Sequence, residues 1–218
     1  MDQASDTLTQ MEHVTPGVSN ISEEHWDGRY RLIGADQVSW FQQEPTTSLE
    51  LIDLLANSVD TPIIDIGGGA SNLIDHLLHR SYRDLTVLDI SAVALDTAQQ
   101  RLGDADVTWI HEDVLTWRPT PRWELWHDRA VLHFLTDKQD QTTYVSMLRQ
   151  TLTPTGAFII GTFAEDGPTQ CSSLPVCRYG PSDLSALIGD FELIEQRREI
   201  HRTPGGIEQP FTWIAGRV

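Results

Sequence analysis

Residues 62–66 form a short apolar run that stops at three consecutive glycines, Gly67, Gly68 and Gly69. A run of this length is the pattern of a buried parallel strand. Glycines directly behind it let the chain turn tightly and let a ligand approach the backbone. Residues 71–80 follow with Leu73, Leu77 and Leu78 on one helical stripe and Ile74 beside them. Strand, glycine turn and helix make the first half of a βαβ unit. The same alternation recurs down the chain. Strands are predicted over 85–88, 107–110, up to 125–127, and over 157–163. Between them come a helix capped by Ser91 and running to Arg101, a helix ending near Leu152, and a last helix over 182–188. Reciprocal hydrogen-bonding pairs at helix starts are predicted for Thr47 with Glu50 and for Thr136 with Gln139. Alternation of this kind implies right-handed crossovers and a parallel sheet. Residues 191–200 and 211–218 are two strands with no helix between them, so they form a hairpin and one of them is antiparallel.

A chain of 218 residues, 39% hydrophobic, suits one compact α/β domain over residues 21–218. Residues 1–20 are polar and aperiodic, with no basic start followed by an apolar run, and read as a disordered arm rather than a targeting signal. No stretch approaches the ~20 consecutive apolar residues of a membrane span, so a cytoplasmic location is expected. The 32 acidic against 15 basic residues give a net charge of −17. That balance argues against long nucleic acid and anionic membrane surfaces as partners, since both attract cations. Cys171 and Cys177 are too few for a disulfide framework and lack the spacing of a zinc pair, so no metal is expected.

The glycine turn reads Asp65-Ile66-Gly67-Gly68-Gly69-Ala70-Ser71. A dinucleotide fingerprint would need another glycine at position 72, which is Asn72. The pattern instead resembles the acidic-x-G-x-G-x-G turn of class I S-adenosylmethionine-dependent methyltransferases, with Ser71 for the last glycine. That resemblance implies a doubly wound, Rossmann-like sheet of seven strands in the order 3-2-1-4-5-7-6. It also implies S-adenosylmethionine as cofactor, with Asp65, Gly67 and Gly69 around it. Asp89, followed by Ile90, ends the second strand, where an acid accepts hydrogen bonds from two ribose hydroxyls. Asp113 and Val114 follow the third strand, placed to accept from the adenine amine and donate a backbone N–H to the ring.

The segment Glu24-His25-Trp26-Asp27-Gly28-Arg29-Tyr30 is similar to the opening of lysine methyltransferases acting on elongation factors, and of thiopurine and halide methyltransferases. The resemblance implies a lid over residues 21–45. Trp26, Arg29 and Tyr30 would cover the methionine end of the cofactor, and Trp40 and Phe41 would face the substrate. Methyl transfer mainly requires alignment and exclusion of water, and a base only where the acceptor carries a proton. The candidates near the fourth strand are Asp128 to orient a reactant and His127 or His133 as base. His133 also reads as a satisfied, half-buried histidine. Asp128 and Arg129 match the start of the lysine enzymes' Asp-Lys-Gly-Thr-Phe-Asp, whereas Ala130, Val131, Leu132 and His133 depart from it. Arg178 and Tyr179 fall where this fold builds its acceptor pocket, and an arginine there can hold a carboxylate. A small acceptor (acid, thiol or amine) is the leading expectation. A protein lysine is the alternative, and a non-catalytic cofactor-binding protein the third reading.

Overall fold

The computed structural model describes residues 22–120 and 122–218; the arm expected over residues 1–20 lies outside them. The described residues open with helix α1 (Glu23–Ile33), inside the segment 21–45 expected as a lid. Its end signals are legible in hindsight. Ser22 Oγ accepts from the His25 N–H, Glu23 and Glu24 occupy the first turn, and Gly34 ends the helix at φ 85°. Next come α2 (Thr46–Leu55), β1 (Ile63–Ile66), α3 (Leu73–His79), β2 (Leu85–Asp89), α4 (Ala92–Leu102) and β3 (Val107–His111). Strand β4 (Trp123–Arg129) leads through a 3-10 turn (Leu132–Phe134) to α5 (Lys138–Thr151) and β5 (Leu152–Phe163). A two-residue hairpin, β6 (Gln170–Cys171) and β7 (Leu174–Pro175), precedes α6 (Pro181–Ile188), β8 (Glu192–Arg202) and β9 (Glu208–Arg217).

Seven strands pair in the order β3-β2-β1-β4-β5-β9-β8, with β9 antiparallel to both β5 and β8. Setting aside the small β6–β7 hairpin, this is the expected 3-2-1-4-5-7-6 order. Two helix starts differ from expectation. Pro45 caps α2 and no side chain joins it, because Ser48 bonds His127 and Glu50 pairs with Arg197. Helix α5 is capped by Asp137, whose carboxylate accepts from the Gln139 N–H at 2.7 Å. The predicted pairs of Thr47 with Glu50 and Thr136 with Gln139 are therefore not formed: nearer acceptors or distant partners take those groups. Ser91 caps α4 as expected, accepting from the Ala94 N–H at 3.1 Å.

Each face of the sheet has its own core. Leu49, Ile52 and Leu55 of α2 and Leu73 and Leu77 of α3 pack with Leu125, Ile159 and Trp213 on one face. Tyr144, Met147 and Leu148 of α5 and Leu184 and Ile188 of α6 cover Trp126, Phe158 and Ile160 on the other. Burying side chains of this size stabilises by about 1.5–3 kcal/mol each. Two covered faces leave the strand ends as the place for a ligand. No helix among the described residues is long and apolar enough to cross a membrane.

Candidate active site

The chain runs from β1 through β2 to β3 in one direction, then returns to place β4 and β5 on the other side of β1. Such a reversal opens a crevice beyond the carboxyl ends of the strands. A cleft of about 840 Å3, counted out to its mouth, occupies this position. Its floor is the glycine turn. Gly67 has φ 65°, and a Cβ there would fall inside the Val131 Cγ2 methyl. Gly69 has φ 46°, and a Cβ would lie 2.8 Å from Asp89 Oδ2. Only glycine tolerates both the backbone angle and the crowding.

One wall holds the polar groups expected of a nucleoside site. Asp89 Oδ1 accepts from the Ser91 N–H at 2.7 Å. Burial pushes its pKa up to about 7, against the lowering effect of that bond. Asp113 Oδ1 accepts from the Leu115 N–H at 2.9 Å, which shapes the turn carrying Val114. Asp89, Ile90, Asp113 and Val114 all line the cleft. The opposite wall is aromatic. Trp26 packs edge-on against Trp40 and Phe134, at 5.6 and 5.0 Å between ring centroids. Trp40 Nε1 donates to Tyr30 Oη at 3.2 Å, and burial beside Asp89 keeps that phenol protonated. Helix α1 is held over the cleft by Asp27, which the sequence reading passed over. Its Oδ1 accepts from Ser91 Oγ at 2.7 Å and from the Val93 N–H at 3.2 Å.

Other sequence-predicted residues lie elsewhere. Asp65 is buried below the glycine turn, and its Oδ1 is 2.7 Å from His127 Nδ1. His127 Nε2 is in turn 2.9 Å from Ser48 Oγ. This chain ties α2 to the sheet, on the wall of a neighbouring smaller cavity that also takes in Phe41. The side chain of Asp128 points to the other face of the sheet, fully buried. It accepts from the Val131 N–H at 2.7 Å, the Leu132 N–H at 3.1 Å and the Tyr144 hydroxyl. Asp128 is thus a cap for the 3-10 turn and does not line the cleft, contrary to the role expected for it.

His133 is likewise fully buried and outside the cleft. Its Nδ1 accepts from the Phe163 N–H at 3.3 Å, and its ring lies between Phe134 and Phe163. Burial, helped by the charge of Arg129, pushes its pKa down to about 3, so the ring is neutral at ordinary pH. The geometry places His133 in the core and not in the cleft, although it is fully buried rather than half-buried and its Nε2 has no partner among the described residues. Arg178 donates to the Gly167 carbonyl at 3.2 Å, and the Tyr179 hydroxyl accepts from Gln141 at 3.1 Å. Neither lines the cleft, and Arg29 does not either. At the acceptor end the cleft is lined instead by Arg129, Ala130, Phe134 and Cys171. Arg129 and Cys171 carried no assigned role in the sequence reading. Cys171 does fall, like Arg178 and Tyr179, in the stretch after the fifth strand where this fold builds its acceptor pocket, but nothing in the sequence shows that β5 and the β6–β7 hairpin bring it to Arg129.

Known proteins resemble this one in sequence and fold. A family model described as Nodulation protein S (NodS) matches residues 35–173. A trans-aconitate 2-methyltransferase of Yersinia pestis is 37% identical over 113 residues, which are 50% of this chain and 42% of that protein. An uncharacterized methyltransferase of Mycobacterium tuberculosis is 30% identical over 114 residues, covering 52% of this chain and 56% of the relative. The chain thus spans about half the length of the curated relatives it matches. Among solved structures, the N-methyltransferase NodS from Bradyrhizobium japonicum with S-adenosyl-L-homocysteine superposes with a TM-score of 0.65 at 16% identity. That match covers 88% of this chain and 97% of the other. A didemethyltoxoflavin N-methyltransferase of Burkholderia thailandensis gives 0.64 at 20% identity, over 89% and 83% of the two chains. At such identities the structural likeness speaks for the fold alone. The family match extends over well more than half of the sequence: the chain belongs to the NodS family and has the class I S-adenosylmethionine-dependent methyltransferase fold.

Proposed function

We propose that this protein binds S-adenosylmethionine in the cleft and transfers its methyl group to a small-molecule acceptor. The observation that carries this reading is the convergence on one cleft of Gly67, Asp89, Asp113 and Val114, from the ends of three adjacent strands. The residues present suit the cofactor. Gly67 brings bare backbone to the cleft, where a Cβ would displace Val131, a Cβ at Gly69 would displace Asp89, and Asp89 offers a carboxylate to ribose hydroxyls. Asp113 and Val114 can accept from and donate to the adenine edge. When bound, the cofactor supplies an electrophilic methyl group on a sulfonium. Trp26, Tyr30, Trp40 and Phe134 wall off the acceptor end and exclude water.

Among the described residues, no histidine or lysine lines the cleft. Cys171 is held protonated chiefly by burial, and Tyr30 is too. With no base among the described residues at the acceptor end, the chain is suited to an acceptor that arrives already unprotonated. The Yersinia relative is named for an acid, trans-aconitate, and a small organic acid fits this requirement. Incubation with methyl-labelled cofactor, with the protein and metabolite fractions of a lysate offered separately, tests the reading. Label in metabolites is expected. Label confined to protein would replace the small acceptor with a macromolecular one, and failure to bind S-adenosylhomocysteine would remove the reading altogether.

A further inference from the structure

Arg129 ends β4 on the same face of the sheet as His127 and pairs with Gly161 of β5. The Trp213 ring covers Gly161, and the arginine reaches past it across β5. Its guanidinium carbon lies 4.7 Å from the centre of the Phe211 ring on β9. In the order β1-β4-β5-β9 this direction leads away from the glycine turn and the nucleoside wall. Nη1 donates to the Trp40 carbonyl at 3.0 Å. Nε and Nη2 are buried and have no partner among the described residues. These two N–H groups lie side by side on one edge of the guanidinium, the edge that matches the two oxygens of a carboxylate.

None of the described acids fills that edge, in a chain that has 32 acids against 15 basic residues. Arg129 forms no ion pair among the described residues. Glu199 is the acid whose charge acts on it most. Its two oxygens already accept from Gln42 Nε2 and Trp213 Nε1, both at 2.8 Å. A second cation, Arg29 of α1, has a buried Nε that is also without a partner, and both arginines act on the Cys171 thiol. Leaving buried donors unpaired is costly, and such groups are retained where a ligand completes them.

We infer that the unpaired Nε–Nη2 edge of Arg129 binds a carboxylate of the acceptor, so that the substrate is a small organic acid. This rests on the methyltransferase reading and narrows its substrate class. An acid ionised at neutral pH also needs no base, which accords with the groups lining the cleft.

Calorimetry in two stages tests the inference. S-adenosylhomocysteine is titrated first, and then succinate, citrate and benzoate, each beside its methyl ester, into the saturated protein. At least one free acid should bind where its ester does not. Arg129→Gln should weaken that acid about tenfold or more while leaving S-adenosylhomocysteine affinity unchanged. Arg129→Lys, which keeps the charge without the paired edge, should recover part of the loss. Binding of no acid, or equal binding by the Gln variant, would overturn the inference. So would a Gln variant that loses S-adenosylhomocysteine yet holds methylthioadenosine, since the guanidinium would then serve the cofactor's own carboxylate. If Arg129→Gln does not fold, unaltered acid affinity in Arg129→Lys overturns it. Failure of S-adenosylhomocysteine to bind the parent protein sinks the methyltransferase reading instead, and the acid titrations without it then decide the role of Arg129.

Discussion

Replacing Asp89 with asparagine should stabilise the ligand-free protein at pH 8 while weakening its hold on the nucleoside. The side chain is 7% exposed, and Ser91 is the backbone donor it has. Desolvation outweighs that bond and the nearby His111, raising the carboxyl from its ordinary 3.8 to about 7. The folded protein therefore holds this proton more tightly than the unfolded chain does. Stability falls as pH rises from about 4 and levels off above about 7. A rise of about 3 pK units corresponds to about 4 kcal/mol of lost stability at pH 8, about 1–2 at pH 5 and almost none at pH 3. Asparagine has no charge to bury and keeps an oxygen for the Ser91 N–H. At about 2–4 °C per kcal/mol for a chain of this size, the variant should melt roughly 10 °C higher at pH 8 and about 3–6 °C higher at pH 5. Binding should move the other way. Hydroxyls facing a carboxylate contribute about 1.5–3 kcal/mol each, so S-adenosylhomocysteine affinity should drop at least about tenfold at pH 8. Scanning calorimetry at the two pH values, with a titration of each protein, reads both effects. A variant that melts no higher than the parent at pH 8 would refute the desolvation argument.

Gly67→Ala adds a Cβ at φ 65° against Val131, so it should cost about 2–4 kcal/mol of stability as well as cofactor affinity. A thermal melt and pulldown equal to the parent's would exclude the tight turn. Asp128→Ala removes the acceptor for Val131, Leu132 and Tyr144, and should lower stability by about 1.5–3 kcal/mol in urea melts at pH 5, where burial, which raises the parent carboxyl to about 6, already keeps it largely uncharged. Its S-adenosylhomocysteine affinity should be unchanged, and a selective loss of binding would return Asp128 to the site. His133→Gln should leave the pH–rate profile unaltered around pH 6.5, because the ring is already neutral there. A rising limb that disappears in this variant would make His133 a base after all.

The sheet was readable because its signals are local. The Gly67–Gly69 turn, the recurrence of short apolar runs, and two final strands with no helix between them lead to the observed order. Which face a residue takes is harder to read, since side chains alternate along a strand and a shift of one position swaps the faces. Strand β4 was expected to end at residue 127, but it runs to Arg129. That length turns His127 and Arg129 toward α2 and sends Asp128 into the opposite core. The wall of Asp89, Ile90, Asp113 and Val114 was legible because each of them ends or closely follows a strand. The meeting of Arg129 and Cys171 in the same cleft was not, because it comes about only through the crossover of β5 and the hairpin behind it. Helix α1 was hidden by its aromatic, glycine-containing sequence, although Ser22, Glu23, Glu24 and Gly34 mark its ends.

A crystal structure of the protein with S-adenosylhomocysteine tests the central claim most directly. The account predicts the ribose hydroxyls on Asp89, the adenine between Asp113 and Val114, and the sulfur beyond Gly67, facing Trp26 and Phe134. A ligand bound outside this cleft, or one in the cleft with its ribose away from Asp89, would contradict it.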